Sequence, residues 1–417
     1  MPRAFYLILA VQFISTLADS AFLIVAIARV MELAAASWLI PVLKISFTLF
    51  YVVLAPFVGP LADAFPKGRV MLVSNVLKVA AMLMLLAGAD PVVAIGIAGL
   101  GAAMYAPAKY GLITELLPPA QLVRANGFFE GATVCAVIFG TVLGGLLVSP
   151  LMPLLQLPPA LRLNDLPQTA LVAGMLVLLV LHSISTGLSL AVADSGARYD
   201  RHSIHPLQLL RRFAHENRVL WRDPLGGLSM TVTTLLWGVG ATLQLIVLRW
   251  ANESLGLPLA QAAYLQGVTA VGVITGAMLA SRYVVLERAD KVLPLGILIG
   301  ALVPVMLWVD SVAAAAALLV LVGGLAGYFV VPMNALLQHR GCTLLTAGRS
   351  VAVQGFNENG GMLLMLAAYS ATIALGVPLQ HLVLLFGALV ASGMAAIYGL
   401  QIRARMRSRM RDRMGAA

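Results

Sequence analysis

The sequence predicts an all-α polytopic membrane protein, with twelve transmembrane helices in two pseudo-symmetric six-helix bundles. Three observations carry that prediction. Of 417 residues, 61% are hydrophobic and only 11% are charged, where soluble domains run near half apolar and a quarter charged. The mean hydropathy is +0.96. About 20 helical residues cross a bilayer's hydrocarbon, so roughly a dozen spans and their loops fit this length.

Marked off at their charged or Pro/Gly-rich ends, the apolar stretches give spans at 5–28, 38–61, 70–89, 92–116, 122–149, 168–193, 226–250, 259–282, 291–309, 312–338, 347–374 and 379–402. The first is too polar, and too poor in preceding basic residues, for a cleaved signal peptide, and is read as a retained helix. The long polar stretch 194–225 then divides a bundle at 1–193 from one at 226–402, and a basic tail occupies 403–417. In the linker, Leu207, Leu209 and Leu210 stand beside Arg211 and Arg212, a pattern that suits a helix lying on the membrane surface. The tail repeats Met406, Met410 and Met414 among arginines; a surface-lying helix end and a merely solubilising tail both fit it.

With the amino terminus placed inside, 21 basic residues fall in inside segments, 3 outside (Arg29, Arg162 and Arg249), and 3 within spans. That asymmetry predicts cytoplasmic termini. It also accounts for the net charge of +10 through topology and anionic inner-leaflet lipid, without nucleic acid. Cys135 and Cys342 have no metal-ligand spacing and suggest no disulfide framework.

An offset of 225 residues relates the halves. Pro107 meets Pro332 and Arg124 meets Arg349; GLGAAMYAPAKYG resembles GGLAGYFVVPMNA; Asp19 meets Gln244, and Lys109 meets Asn334. Several matches at one offset indicate homologous halves, and two bundles around a central site imply alternating access.

Six ionisable side chains fall inside spans: Asp19, Lys44, Lys78, Lys109, Glu130 and Glu358. Each would cost about 2.5–3.5 kcal/mol facing lipid. At 1.5 Å rise per residue, Asp19 and Lys44 lie near one level, roughly 21 Å from the inner face, and Lys109 and Glu130 near another at about 10–12 Å. Two ion pairs are expected, Asp19–Lys44 and Lys109–Glu130, either holding helices together or lining a wet cavity. Lys78, about 13 Å up, either snorkels to the interface or lines the cavity. Gln354, Asn357, Glu358 and Asn359 form a polar cluster in one span, with Gln354, Asn357 and Glu358 on neighbouring faces. Gly360 and Gly361 follow, marking a bend or a close helix contact. Paired signs suit a zwitterion bearing phosphate and ammonium; internal pairing and proton relay predict the same residues.

No Gly-rich phosphate loop ending in Gly-Lys-Ser/Thr, no His-Glu-x-x-His zinc motif and no His-x4-Asp acyltransferase motif occurs. No enzyme, cofactor or metal is expected, and His202, His205 and His215 read as solvated linker residues.

After the second span comes GPLADAFPKGRVM, with Gly59, Asp63, Lys67, Gly68 and Arg69. It resembles the loop between helices two and three of the major facilitator superfamily, with Ala64 in place of a basic residue and a longer spacing from Asp63 to Gly68. The resemblance implies a gate built from Gly59, Asp63, Gly68 and Arg69, with Arg124 and Arg349 at matching positions of the two halves. Further stretches resemble the bacterial lysophospholipid transporter family of that superfamily: LAPFVGPLAD, AAMYAPAKYGLITEL, VRANGFFE, LLWGVGATL, LPLGILIG, GYFVVPMNALLQHRG and VAVQGFNENGGMLLML. That resemblance implies inward flipping of lysophosphatidylethanolamine-type lysolipids across a bacterial inner membrane, for reacylation by a partner acyltransferase. Asp19, Lys109, Tyr110, Asn126, Glu130, Gln354 and Glu358 become headgroup candidates. Lys44, Lys78, Gln244, Asn334 and Asn357 are added by the span analysis. Gln244 stands where relatives commonly carry a basic residue, and Lys44 is an extra charge that can replace it. A monomer is expected. The alternative is a proton-coupled drug or metabolite exporter on the same fold, with Asp19, Glu130 or Glu358 carrying the proton.

Overall fold

The computed structural model describes residues 1–33, 39–148, 170–197, 199, 205–257 and 259–415. Arg162, Arg198, Arg201 and His202 lie outside them. Fourteen α-helices are found among the described residues: α1 (Arg3–Glu32), α2 (Leu39–Val53), α3 (Ala55–Ala64), α4 (Lys67–Leu86), α5 (Pro91–Leu116), α6 (Pro119–Leu147), α7 (Ala170–Leu190), α8 (Pro206–Arg222), α9 (Pro224–Glu253), α10 (Leu259–Tyr283), α11 (Leu293–Leu302), α12 (Val312–Leu344), α13 (Ala347–Ala374) and α14 (Leu379–Gly415). Two 3-10 segments, Leu286–Val292 and Val303–Trp308, extend α11 at either end.

Nine helical segments among the described residues are long and apolar enough to cross a bilayer, and α2 with α3 makes a tenth, bent by 63°. With α10 and α13 they make twelve. The predicted single span at 38–61 is therefore two helices. Pro56, in the first turn of α3, lacks the amide that would continue α2 and crowds the preceding turn. Helix α13 falls short of the apolar measure, and it is the span that carries Arg349, Gln354, Asn357, Glu358 and Asn359.

Local chemistry sets several starts. Asp90 accepts from the Val92 amide at 2.7 Å, with Pro91 opening α5. Asp223 accepts from the Gly226 amide at 2.7 Å, with Pro224 opening α9. Both use the cap-then-proline order that helix N-termini favour. Pro107 and Pro332 sit inside α5 and α12, as the 225-residue repeat predicts.

The chain divides into two compact units. One comprises Met1–Leu122, Ala132–Arg222 and Gln338–Asn359; the other comprises Val123–Gly131, Asp223–Leu337 and Gly360–Ala417. In the first, α4 packs on α5 and α7, and α1 on α7. Its apolar core gathers Phe22, Val25, Leu43, Met82, Ile95 and Leu178. In the second, α11 packs on α14, the counterpart of α4 on α7 in order of spans. Its core gathers Ile246, Trp250, Met306, Leu319, Val383 and Phe386. Water does not drive these contacts inside a bilayer, so close packing must. A Cβ on Gly99 would strike the Phe47 backbone, and one on Gly276 would strike the Gly324 carbonyl. Both glycines let backbones touch.

The linker forms α8, as its amphipathic pattern predicts. Its Phe213, Glu216 and Leu220 are buried, so one face of it packs on protein. The basic tail continues α14 without a break to Gly415.

Candidate functional site

The first unit holds a buried polar network at mid-span. Helix α1 supplies Ser15 and Asp19 one turn apart, and α4 supplies Asn75 and Lys78 on one face. Lys78 Nζ lies 2.5 Å from Asp19 Oδ2 and 2.8 Å from Ser15 Oγ. Ser15 donates to Asn75 Oδ1 at 3.1 Å, and Asn75 Nδ2 donates to Ser189 Oγ of α7 at 2.9 Å. Lys78 is only 2% exposed. It is paired within the protein, and the snorkelling alternative is not what is found.

Asp19 thus pairs with Lys78, not with Lys44, whose side chain is exposed. The expected pair was chosen by depth alone. Lys78 starts from a lower level, but its long stem rises along α4 to the carboxylate. Asp19 Oδ1 remains buried without a hydrogen-bond partner among the described residues, as does the Tyr105 hydroxyl. Neither nitrogen of the fully buried His182 is bonded there either. The His182 ring meets Phe22 edge-on, with centroids 6.2 Å apart.

A second lysine joins through aromatic faces. Lys109 Nζ stands 3.9 Å from the centre of the Tyr110 ring and 5.9 Å from that of Tyr105; Lys78 Nζ is 5.4 Å from Tyr105. Tyr105 therefore serves two ammonium groups, each contact near the outer end of its reach and worth about 0.5–1 kcal/mol. Asp19, Lys78 and Lys109 bring both signs of charge around Tyr105.

Gln354 donates to Glu358 Oε1 at 2.8 Å, one turn along α13. Asn126 and Asn334 are buried, and Asn126 and Glu130 belong to the 123–131 segment of the second unit. Gln244 is exposed, and its carbonyl accepts from Gln266 at 2.8 Å. Asn357 does a different job from the one expected: it accepts from Trp221 Nε1 at 3.0 Å and donates to Asn217 at 2.9 Å, both on α8. It docks the linker helix. Periodicity put Asn357 beside Gln354 and Glu358 but gave no hint of α8 as its neighbour.

A second cluster forms around Asp63, at the turn between α3 and α4. Its carboxylate accepts from Thr346 Oγ1 and from the Gly348 amide at 3.0 Å, with Lys67 Nζ at 3.5 Å and Arg349 Nε at 3.9 Å. A Cβ on Gly59 would lie 2.8 Å from Arg349 Cα, and one on Gly68 would lie 2.7 Å from the Val192 carbonyl. Only glycine permits these approaches. Arg69 is exposed, and Lys67 rather than Arg69 reaches Asp63. Asp63 stands at the end of α3 and Lys67 begins α4, so the turn at Phe65 and Pro66 brings them together, not a helical repeat. The Arg124 guanidinium lies 5.9 Å from the Phe128 ring centre.

Both ends of the linker plug into this cluster. Lys67 also meets Glu115 at 2.5 Å, and Glu115 accepts from Ser195 and from Tyr199 at 2.8 Å. Burial first, and the bond to Glu115 second, push the Tyr199 phenol above its ordinary range, so it stays a donor at any physiological pH. At the other end, Glu216 of α8 meets Arg349 Nη1 at 3.3 Å and Arg212 at 2.9 Å. Glu115, Glu216, Thr346 and Tyr199 were not singled out by sequence, because their roles depend on partners distant in the chain, such as 84 positions for Glu115 with Tyr199 and 283 for Thr346 with Asp63.

Residues 8–364 match the family model described as Major Facilitator Superfamily. The chain is 36% identical over 378 residues to the lysophospholipid transporter LplT of Pectobacterium carotovorum subsp. carotovorum (strain PC1), covering 90% of this chain and 88% of that one. It is 36% identical over 379 residues to LplT of Yersinia pestis (strain Pestoides F), covering 91% and 89%. Among solved structures, a variant of the E. coli fucose:proton symporter FucP superposes with a TM-score of 0.72 at 14% identity, covering 95% of this chain and 98% of that one; a likeness at that identity concerns the fold alone. This multi-pass membrane transporter, with its buried Asp19–Lys78 pair and its Asp63 cluster, belongs to the lysophospholipid transporter family of the major facilitator superfamily.

Proposed function

We propose that the protein flips lysophosphatidylethanolamine-type lysolipids from the outer to the inner leaflet of a bacterial inner membrane by alternating access. Its termini would then be cytoplasmic, and a lysophospholipid acyltransferase would consume the product; it works as a monomer. The observation that carries this reading is the buried set of Asp19, Lys78 and Lys109 around Tyr105, in a chain 36% identical to transporters named for lysophospholipid. A zwitterionic headgroup has use for both signs: phosphate for the lysines, ammonium for the open Asp19 oxygen and the tyrosine face. The single acyl chain stays in apolar surroundings throughout, so the barrier is the headgroup's desolvation, which these groups replace.

The Asp63 cluster serves as the latch of one state. Its partners Thr346, Gly348 and Arg349 bind the α3–α4 turn to the start of α13; alternating access requires that these contacts break and re-form. The lipid gradient drives the cycle. Purified protein in liposomes, with leaflet-resolved labelled lysolipid and a diacyl lipid as control, tests this. Flipping of lysolipid alone, unchanged by a protonophore, is expected. Collapse of flipping with the proton gradient would instead favour proton-coupled export.

A further inference from the structure

Helix α8 has two faces with separate employment. Its inner face is committed to the protein. Phe213 meets Phe356 edge-on at 5.3 Å, Glu216 meets Arg349 at 3.3 Å, and Asn217 bonds Asn357. Arg212 is tied to Glu216 at 2.9 Å. Its outer face is exposed and carries Arg211, His215, Arg218 and Arg222, spaced to fall on one line of the helix. Leu207, Leu210 and Trp221 flank that line and are also exposed. The only acid in α8 is Glu216, which is buried, so no negative charge dilutes the outer face.

We propose that this outer face is a docking surface for the anionic phospholipid headgroups of the adjoining leaflet. Position argues for lipid over a soluble partner. Arg222 is followed directly by Asp223, the cap of α9, and α9 is long and apolar enough to span a bilayer. The carboxyl end of α8 is thereby held at the membrane boundary. There two leucines can enter the headgroup layer while arginines meet phosphates. Each arginine strengthens attachment to an anionic surface roughly fivefold, and the three together on the order of a hundredfold. Since Glu216 lies on the opposite side of the same helix, attachment also holds its carboxylate against Arg349.

Hydrogen exchange of residues 206–222 tests this on full-length protein in nanodiscs, comparing phosphatidylcholine alone with a bilayer rich in phosphatidylglycerol. The readout needs no transport, so it stands or fails independently of the lysolipid reading. Exchange is expected to slow about tenfold with the anionic lipid, and to recover in high salt. The slowing should vanish in Arg211→Gln/Arg218→Gln/Arg222→Gln and persist when residues 404–417 are deleted. Leu207→Ser/Leu210→Ser, which changes no charge, should lose part of it and serves if the triple variant does not fold. Equal exchange in both bilayers overturns the proposal. So does slowing that survives in the arginine variant, or in the leucine variant if that must stand in for it, or slowing that disappears with the tail.

Discussion

Lys78 Nζ lies 2.5 Å from Asp19 Oδ2, and both groups are withdrawn from solvent. Removing one member of such a pair leaves the other charged and unpaired. Lys78→Ala should therefore cost about 3–5 kcal/mol of stability. Asp19→Asn with Lys78→Met removes both charges and should recover most of that loss. Thermal unfolding in detergent reads the stability, and leaflet-resolved flipping reads the function. Transport should stay absent in the double variant. If it returned with stability, the pair would be a helix fastener and not a headgroup site.

Tyr105 lies within cation–π reach of Lys78 and Lys109. Tyr105→Leu keeps the volume apolar and removes the ring. We expect lysolipid transport to fall about tenfold, the equivalent of losing two cation–π contacts at about 0.5–1 kcal/mol each. Tyr105→Phe should transport at close to the wild-type rate, since the hydroxyl has no partner among the described residues. Kinetics on the two variants side by side separate ring from hydroxyl.

The Asp63 cluster makes a prediction about exposure. Asp63→Asn keeps the shape but weakens the charge-assisted bonds to Lys67, Thr346 and the Gly348 amide. Loss of roughly 1.5–3 kcal/mol would raise the open population by about tenfold or more. Cys342, half-buried near this cluster, should then alkylate faster by a similar factor. Cys135, in α6, is the internal control and should not change. An unaltered Cys342 rate in a folded variant would remove Asp63 from the latch.

Packing glycines offer a test independent of transport. Gly276 faces the Gly324 carbonyl with no room for a Cβ, whereas a Cβ on Gly240 meets nothing within 4 Å. Gly276→Ala should cost about 1–3 kcal/mol through backbone displacement. Gly240→Ala should be neutral or stabilising by up to about 1 kcal/mol, from helix propensity. Melting temperatures in detergent decide between them. Equal melting would mean that α10 and α12 do not meet where Gly276 stands.

Much of the fold was legible because each span must satisfy its own backbone and keep an apolar exterior. Twelve spans, the paired prolines at 107 and 332, and an amphipathic linker followed from that constraint. The bend between α2 and α3 was legible in principle at Pro56, but a hydropathy window averages across a kink. The site was less accessible. Asp19, Lys78 and Lys109 announced themselves by the energetic cost of an ion in hydrocarbon. Ser15, Asn75 and Ser189 did not, because a hydroxyl or amide in a span is common enough to pass.

What the sequence by itself determined was the run of apolar spans and the identity of the costly groups. Both depend on composition along the chain and on depth in the bilayer. What only the tertiary structure decided was pairing: Asp19 with Lys78 and not Lys44, Asp63 with Lys67 and not Arg69, and Asn357 with the linker helix. Depth follows from counting residues. A partner follows from the rotation of each helix about its axis and the reach of each stem, and those are set by packing against other helices.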